Sequence, residues 1–180
     1  MKRALLIAVI FALILAAAFS CRGKSGEVAD LPQPGPEQLA DINRQLVIKE
    51  SARIDAYIER RGMDVETSGS GLRWLIREEG SGRTPGLNDI VTLEYECFLL
   101  DGTLCYSSED DGILEIRAGA TDIPAGLDEG VRMLKEGAVA HFIMPSYLAY
   151  GLTGDRKRIP ARAPLHYRVR VVSVKNIHSR

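Results

Sequence analysis

Apolar and polar positions change rhythm several times along this chain, and each change marks a different element. Ala4 to Phe19 is an unbroken apolar run of 16 residues behind Lys2 and Arg3. A basic start, a short apolar core and small residues before a break describe an export leader; a spanning helix would need ~20 residues. The stretch 22–36 is Gly, Ser and Lys followed by Leu-Pro-Gln-Pro-Gly-Pro, too polar and proline-rich to fold, and it reads as an extended tether. Leu39, Ile42, Leu46, Ile54, Tyr57 and Ile58 then recur at helical spacing among charged residues. This predicts an amphipathic helix over 37–61, with Pro36 in its first turn and Gly62 at its stop. Its apolar face must pack on its own domain or on a partner helix in a dimer.

From Thr67 the period shortens to two. Leu72–Ile76 is a short strand candidate ending at Glu79-Gly80-Ser81-Gly82. Val91, Leu93, Tyr95, Cys97 and Leu99 alternate with Thr92, Glu94, Glu96 and Phe98, which buries one face of a longer strand. Asp101-Gly102 turns the chain back into Thr103–Ser107 as a hairpin. Ala125–Lys135 is a short helix stopped by Gly137, and two further alternating strands run through Ala138–Met144 and Leu165–Val171. Strands, hairpin turns and one late helix predict an antiparallel α+β domain.

Charge and composition narrow the partners. The formal net charge is −1, and loss of Lys2 and Arg3 with the leader takes it to −3. That is too near neutral for a nucleic-acid surface. His141, His166 and His178 stand far apart without carboxylate or cysteine at ligand spacing, so no metal and no other cofactor is expected. Glu109-Asp110-Asp111-Gly112 lacks the alternating ligands of a calcium loop and reads as a solvated loop. Asp155-Arg156-Lys157-Arg158 is a basic run, either solvated or favouring acidic partners.

The densest motif is Pro145-Ser146-Tyr147-Leu148-Ala149-Tyr150-Gly151, a glycine-containing loop, then Ile159-Pro160. It resembles the tyrosine loop of FK506-binding-protein (FKBP) type peptidyl-prolyl isomerases. Further resemblances follow in family order: Gly71-Leu72-Arg73-Trp74, Glu79–Gly82, Val91–Tyr95, Leu100–Thr103, Ser107-Ser108 and Gly126–Val131. The likeness spans about 67–177. It implies an FKBP-like twisted antiparallel sheet wrapped around a short helix, preceded by the N-terminal amphipathic helix. The implied organisation is a leader over 1–20, a tether over 21–36, a helical extension over 37–66 and an isomerase domain over 67–178. Ala-Phe-Ser-Cys resembles a bacterial lipobox in its looser form, which makes Cys21 the lipidated first residue of the mature chain. Tyr57-Ile58-Glu59-Arg60-Arg61-Gly62 resembles FKBP-type lipoproteins of the Bacteroidetes, some associated with gliding motility. Arg22-Gly23-Lys24 lacks the acidic run that resembles their surface-export signal, which favours a periplasm-facing lipoprotein, most simply of the outer membrane.

The resemblance implies a folding catalyst for proline-containing exported polypeptides. Tyr95, Tyr150, Ile159 and Tyr167 would carry the reaction, with Leu114, Ile123, Leu127 and Cys105 lining the substrate pocket. Tyr150 would offer its hydroxyl to the substrate carbonyl. Departures from the pattern stand at Cys105 for a phenylalanine, Tyr106 for an aspartate, Leu127 for a tryptophan, Pro124 for a residue with a backbone N–H, and Arg158 for an apolar residue. A non-catalytic chaperone or structural lipoprotein keeping the fold is therefore the competing function. Cys97 and Cys105 lie either side of the Asp101-Gly102 turn. A two-residue loop sets Cys97 opposite Tyr106. A three-residue loop sets it opposite Cys105, within disulfide reach.

Overall fold

The computed structural model describes residues 35–176. The leader, Cys21, the tether through residue 34 and His178 lie outside the described residues. The described residues from Ala40 onward form one compact unit.

Helix α1 (Pro36–Arg61) carries Glu37 in its first turn and Arg60 and Arg61 in its last, each at the end its charge favours. Gly62 stops it at φ +57°, with Gly62 N–H on the Glu59 carbonyl (3.0 Å) and Met63 N–H on that of Ile58 (3.1 Å). Strands β1 (Glu66–Thr67) and β2 (Arg73–Glu78) follow, then β3 (Ile90–Leu99) and β4 (Leu104–Ser107). A short helix α2 (Ser108–Asp111), β5 (Leu114–Arg117), α3 (Ala125–Val131), β6 (Val139–Met144) and β7 (Leu165–Lys175) complete the order. Among the described residues the strands form one antiparallel sheet ordered β1-β2-β6-β7-β3-β4, with β5 sharing the free edge of β3 with β4.

Alternation along the central strands gives the sheet two unlike faces. Ala140, Phe142 and Met144 of β6 join Leu165, Tyr167, Val169 and Val171 of β7 in a buried core, which α3 covers with Leu127 and Val131. The opposite face carries Ile143 and His166, and the C-terminal part of α1 covers these with Ile54 and Tyr57. Burying Ile54 completely contributes about 1.5–3 kcal/mol. Arg73 keys the same helix to β2: its guanidinium donates to Ser51 Oγ (2.6 Å), Asp55 Oδ1 (2.9 Å) and the Gly71 carbonyl (2.9 Å). A buried cation needs such a full set of partners. The predicted helix thus packs on its own domain, but only through its last turns. Ile42, Val47 and Ile48 remain exposed.

The hairpin combines the two geometries that the sequence left open. Leu99 N–H meets the Thr103 carbonyl (2.9 Å) across a three-residue loop, with Gly102 at φ +95°. Phe98 pairs with Leu104, but Cys97 pairs with Tyr106, so Cys105 is an extra residue bulged out of the ladder. Cys97 and Cys105 are both free and buried. The candidate disulfide between them is not formed, because the bulge sets Cys97 against Tyr106.

Candidate functional site

Aromatic side chains collect where β3, β7, α3 and the loop after β6 meet. Tyr95 pairs with Val169 and Cys97 with Tyr167 across the β3–β7 ladder, which sets all four on the core face. The Tyr95 and Tyr167 rings stack with centroids 6.3 Å apart. Leu127 rises from α3, whose first turn is closed by the Pro124 carbonyl accepting from Leu127 N–H (2.9 Å) and Asp128 N–H (3.1 Å). Tyr95, Cys105, Leu114, Ile123, Leu127, Tyr150, Ile159 and Tyr167 all fall in one apolar cluster. Cys105, Leu127, Ile159 and Tyr167 are buried, and the other four are half-buried.

The tyrosine loop is built by backbone hydrogen bonds. A 3-10 turn (Ser146–Leu148) begins it, and the Ser146 carbonyl accepts from Ala149 N–H (3.0 Å) and Gly151 N–H (2.8 Å), closing the chain around Tyr150. From outside, the Glu50 carboxylate of α1 accepts from Ser146 N–H and from Ser146 Oγ (2.8 Å). Further on, Gly154 sits at φ +65°, where a Cβ would fall 2.1 Å from the Ile159 carbonyl oxygen. Only glycine fits there. Asp155 Oδ1 then accepts from Lys157 N–H and Ile159 N–H, both at 2.8 Å, which holds Ile159 against the cluster.

Burial decides the electrostatics. It pushes the Tyr150 hydroxyl above its ordinary pKa and Tyr167 well above it. Burial raises Tyr95 too, with Asp111 adding to the effect, and drives the Cys97 thiol to about 12. These groups stay protonated near neutral pH. The arrangement therefore offers hydroxyl donors within apolar walls and no general base or thiolate nucleophile. Among the described residues no three His, Cys, Asp or Glu side chains are placed to share a metal ion.

Residues 81–172 match the family model described as FKBP-type peptidyl-prolyl cis-trans isomerase. The chain belongs to this family. It is 40% identical over 110 residues to the probable FKBP-type peptidyl-prolyl cis-trans isomerase FkpA of Neisseria meningitidis serogroup B, covering 61% of this chain and 40% of that protein. It is 33% identical over 106 residues to the outer membrane protein MIP of Legionella longbeachae, covering 59% of this chain and 45% of that one. The chain thus spans less than half the length of these two relatives. The crystal structure of FkpA from Escherichia coli shares the fold at TM-score 0.62 and 23% identity, covering 97% of this chain and 82% of that one. The FKBP-like sheet around a short helix is thereby shown.

At the mouth this FKBP domain carries its own polar network. The Tyr106 hydroxyl donates to Asp155 Oδ2. Burial and that hydrogen bond raise Tyr106 to about 12. Arg158 lies over the Tyr106 ring at 4.7 Å and donates to Asp111 Oδ1 and Oδ2, both at 2.9 Å, and to the Cys105 carbonyl at 2.9 Å. The acidic run expected as a solvated loop is instead helix α2, and its Asp111 anchors Arg158. Asp155 and Asp111 were missed as site residues: each finds its partner some 50 residues away, a distance at which spacing carries no signal. Other hollows lie elsewhere. One of about 550 Å³ runs along the outer face of the sheet beside Glu96 and Arg168, which pair at 3.2 Å. Of the eight expected pocket residues it contains only Tyr95.

Because the bulge separates Cys97 from Cys105, titration of denatured, non-reduced residues 22–180 is expected to count these two thiols as free. A count of zero would mean that the bridge forms after all.

Proposed function

We propose that this chain is a peptidyl-prolyl cis-trans isomerase acting on exported polypeptides in the bacterial envelope. One observation carries the reading: the protonated Tyr150 and Tyr167 hydroxyls stand among Tyr95, Leu127 and Ile159 within the span matched by the family model. Rotation about an X-Pro bond must break amide resonance, and for a peptide bond that barrier is ~18–20 kcal/mol. The twisted transition state is less dipolar than the planar amide, so an apolar wall favours it while a tyrosine hydroxyl holds the neighbouring carbonyl. No atom is transferred, which suits a site without base or nucleophile. The test is a protease-coupled or NMR exchange assay on an Ala-X-Pro peptide.

Tyr150→Phe is expected to lower kcat/KM by about three- to tenfold, the worth of one hydrogen bond, and to leave the thermal midpoint nearly unchanged. Wild-type activity equal to the uncatalysed rate would remove the enzyme reading. The second reading, a non-catalytic FKBP-fold chaperone, would then stand, favoured by the Tyr106–Asp155 and Arg158–Asp111 contacts at the mouth.

The envelope location rests on the leader-like 1–20 segment, on Cys21 and on a relative named as an outer membrane protein. A diacylated Cys21 would anchor stably where one chain would not, and the helix motif at 57–62 supports kinship with the Bacteroidetes lipoproteins. Metabolic labelling with a palmitate analogue should mark the wild type and not Cys21→Ser. Label retained by the variant would exclude that site.

A further inference from the structure

A groove of about 530 Å³ separates helix α1 from the outer side of the tyrosine loop. Val47, Tyr147 and Leu152 give it an apolar lining, and they are 45%, 50% and 67% exposed. Lys49, Arg53 and Arg162 supply its charge. None of the three pairs with an acidic side chain among the described residues. The acidic residue of the lining, Glu50, has both carboxylate oxygens engaged by Ser146. The groove is therefore apolar in part and cationic in balance.

We propose that this groove is a second contact site for the client chain, taking an extended segment with apolar and acidic side chains that flanks the isomerised proline. The proposal rests on the isomerase reading and names the client chemistry it would select. Continuity supports it. The turn closed by the Ser146 carbonyl carries Tyr150 into the cluster and leaves Tyr147 and Leu152 on the groove side, so pocket and groove share one loop. Charge selects the occupant. A second copy of this protein meeting the groove about a two-fold axis would set Lys49, Arg53 and Arg162 against themselves, since such an interface opposes a patch to its own copy. An acidic, apolar polypeptide meets no such repulsion and satisfies both halves of the lining.

The test uses three peptides sharing one Ala-X-Pro core: the short core, a version with an acidic–apolar flank and a version with a basic–apolar flank, each flank placed before or after the proline. The ratio of kcat/KM for each flanked peptide to the short core isolates the groove. The acidic flank is expected to raise that ratio by about five- to tenfold through KM, three exposed ion pairs being individually weak. Lys49→Glu combined with Arg53→Glu should invert the preference between acidic and basic flanks. Equal ratios for both flanks in the wild type, or an uninverted preference in the variant, would overturn the proposal. Fluorescence anisotropy with the labelled acidic-flank peptide keeps the groove readable if no peptide is turned over: binding lost in the double variant supports the groove while the isomerase reading fails. A change of oligomeric state in the double variant, measured by sedimentation, would assign the groove to a second copy instead and overturn the client assignment.

Discussion

Stability is expected to fall steadily as the pH drops from about 6.5 to about 4, because the fold holds two histidines without charge, His166 buried and His141 half-buried. Tyr57 hydroxyl and His166 Nδ1 lie 2.8 Å apart, and His166 Nε2 lies 2.9 Å from His141 Nδ1. A neutral His166 can serve both contacts, using one nitrogen as donor and the other as acceptor. Burial lowers His141 to about 4, helped by Arg168 and Arg77 and opposed by Glu96. Burial lowers His166 to about 3, helped by His141, Arg168 and Arg61. In the unfolded chain both titrate near the ordinary ~6.5. The unfolded state therefore binds more protons throughout this window, so their contribution is complete above about pH 6.5 and is lost as acid approaches the folded values. Each excess proton makes a slope of about 1.4 kcal/mol per pH unit. Asp101 is lowered by its hydrogen bonds with Thr103. At Asp155 burial acts upward but is outweighed by hydrogen bonds from Tyr106 and from the Ile159, Lys157 and Arg158 amides. Both carboxylates lose their contribution only at lower pH, so the window separates them from the histidines. Urea midpoints across this range should slope for the wild type and flatten for His141→Gln/His166→Gln, which starts less stable at neutral pH. A flat wild-type profile would mean that the fold does not hold the histidines neutral.

Phe142→Ala should cost about 3–5 kcal/mol, since the ring is fully buried between the sheet and α3. Gly130 of α3 lies directly on it: a Cβ there would approach three ring atoms at 2.5–2.7 Å. Gly130→Ala alone should therefore overpack the core and cost about 1–3 kcal/mol. Combined, the two changes should cost clearly less than their sum, because the new methyl enters space the ring has left. Additive costs in urea unfolding would show that this ring does not support α3. The same contact fixes Leu127, which α3 presents to the tyrosine cluster.

Local features were legible from the sequence because local chemistry makes them. Helix α1 ends at Gly62, the hairpin turns at Asp101-Gly102, and the long strands alternate as expected. Helix α2 had a readable signal that went unused: Ser107 caps it by accepting from Asp110 N–H (3.1 Å), and its hydroxyl returns a bond to the Asp110 carboxylate (3.0 Å). Strands β1 and β5 are too short for their period to stand out. All eight pocket residues expected from the family resemblance share one cluster, because the motifs that supplied them keep the same order along the fold. What stayed hidden depends on tertiary approach: Arg158 reaching Asp111, Glu50 holding Ser146, and His166 turned away from the core beneath Tyr57. His141 and His166 look isolated in sequence, and antiparallel pairing of β6 with β7 makes them neighbours.

The bulge at Cys105 makes chain length, as well as residue identity, a variable of the site's wall. On its turn side the β3–β4 ladder follows one numbering, and on its far side it follows a numbering displaced by one residue. Cys105 belongs to neither. Deleting it would leave Phe98 with Leu104 and Cys97 with Tyr106, so both flanks keep their partners while the wall loses a thiol. Elsewhere in a strand a missing residue turns every later side chain to the wrong face. Here the fold holds a site where a codon can be lost or gained without a frame error in the sheet, and the mouth beside Tyr106 and Arg158 can be resized that way.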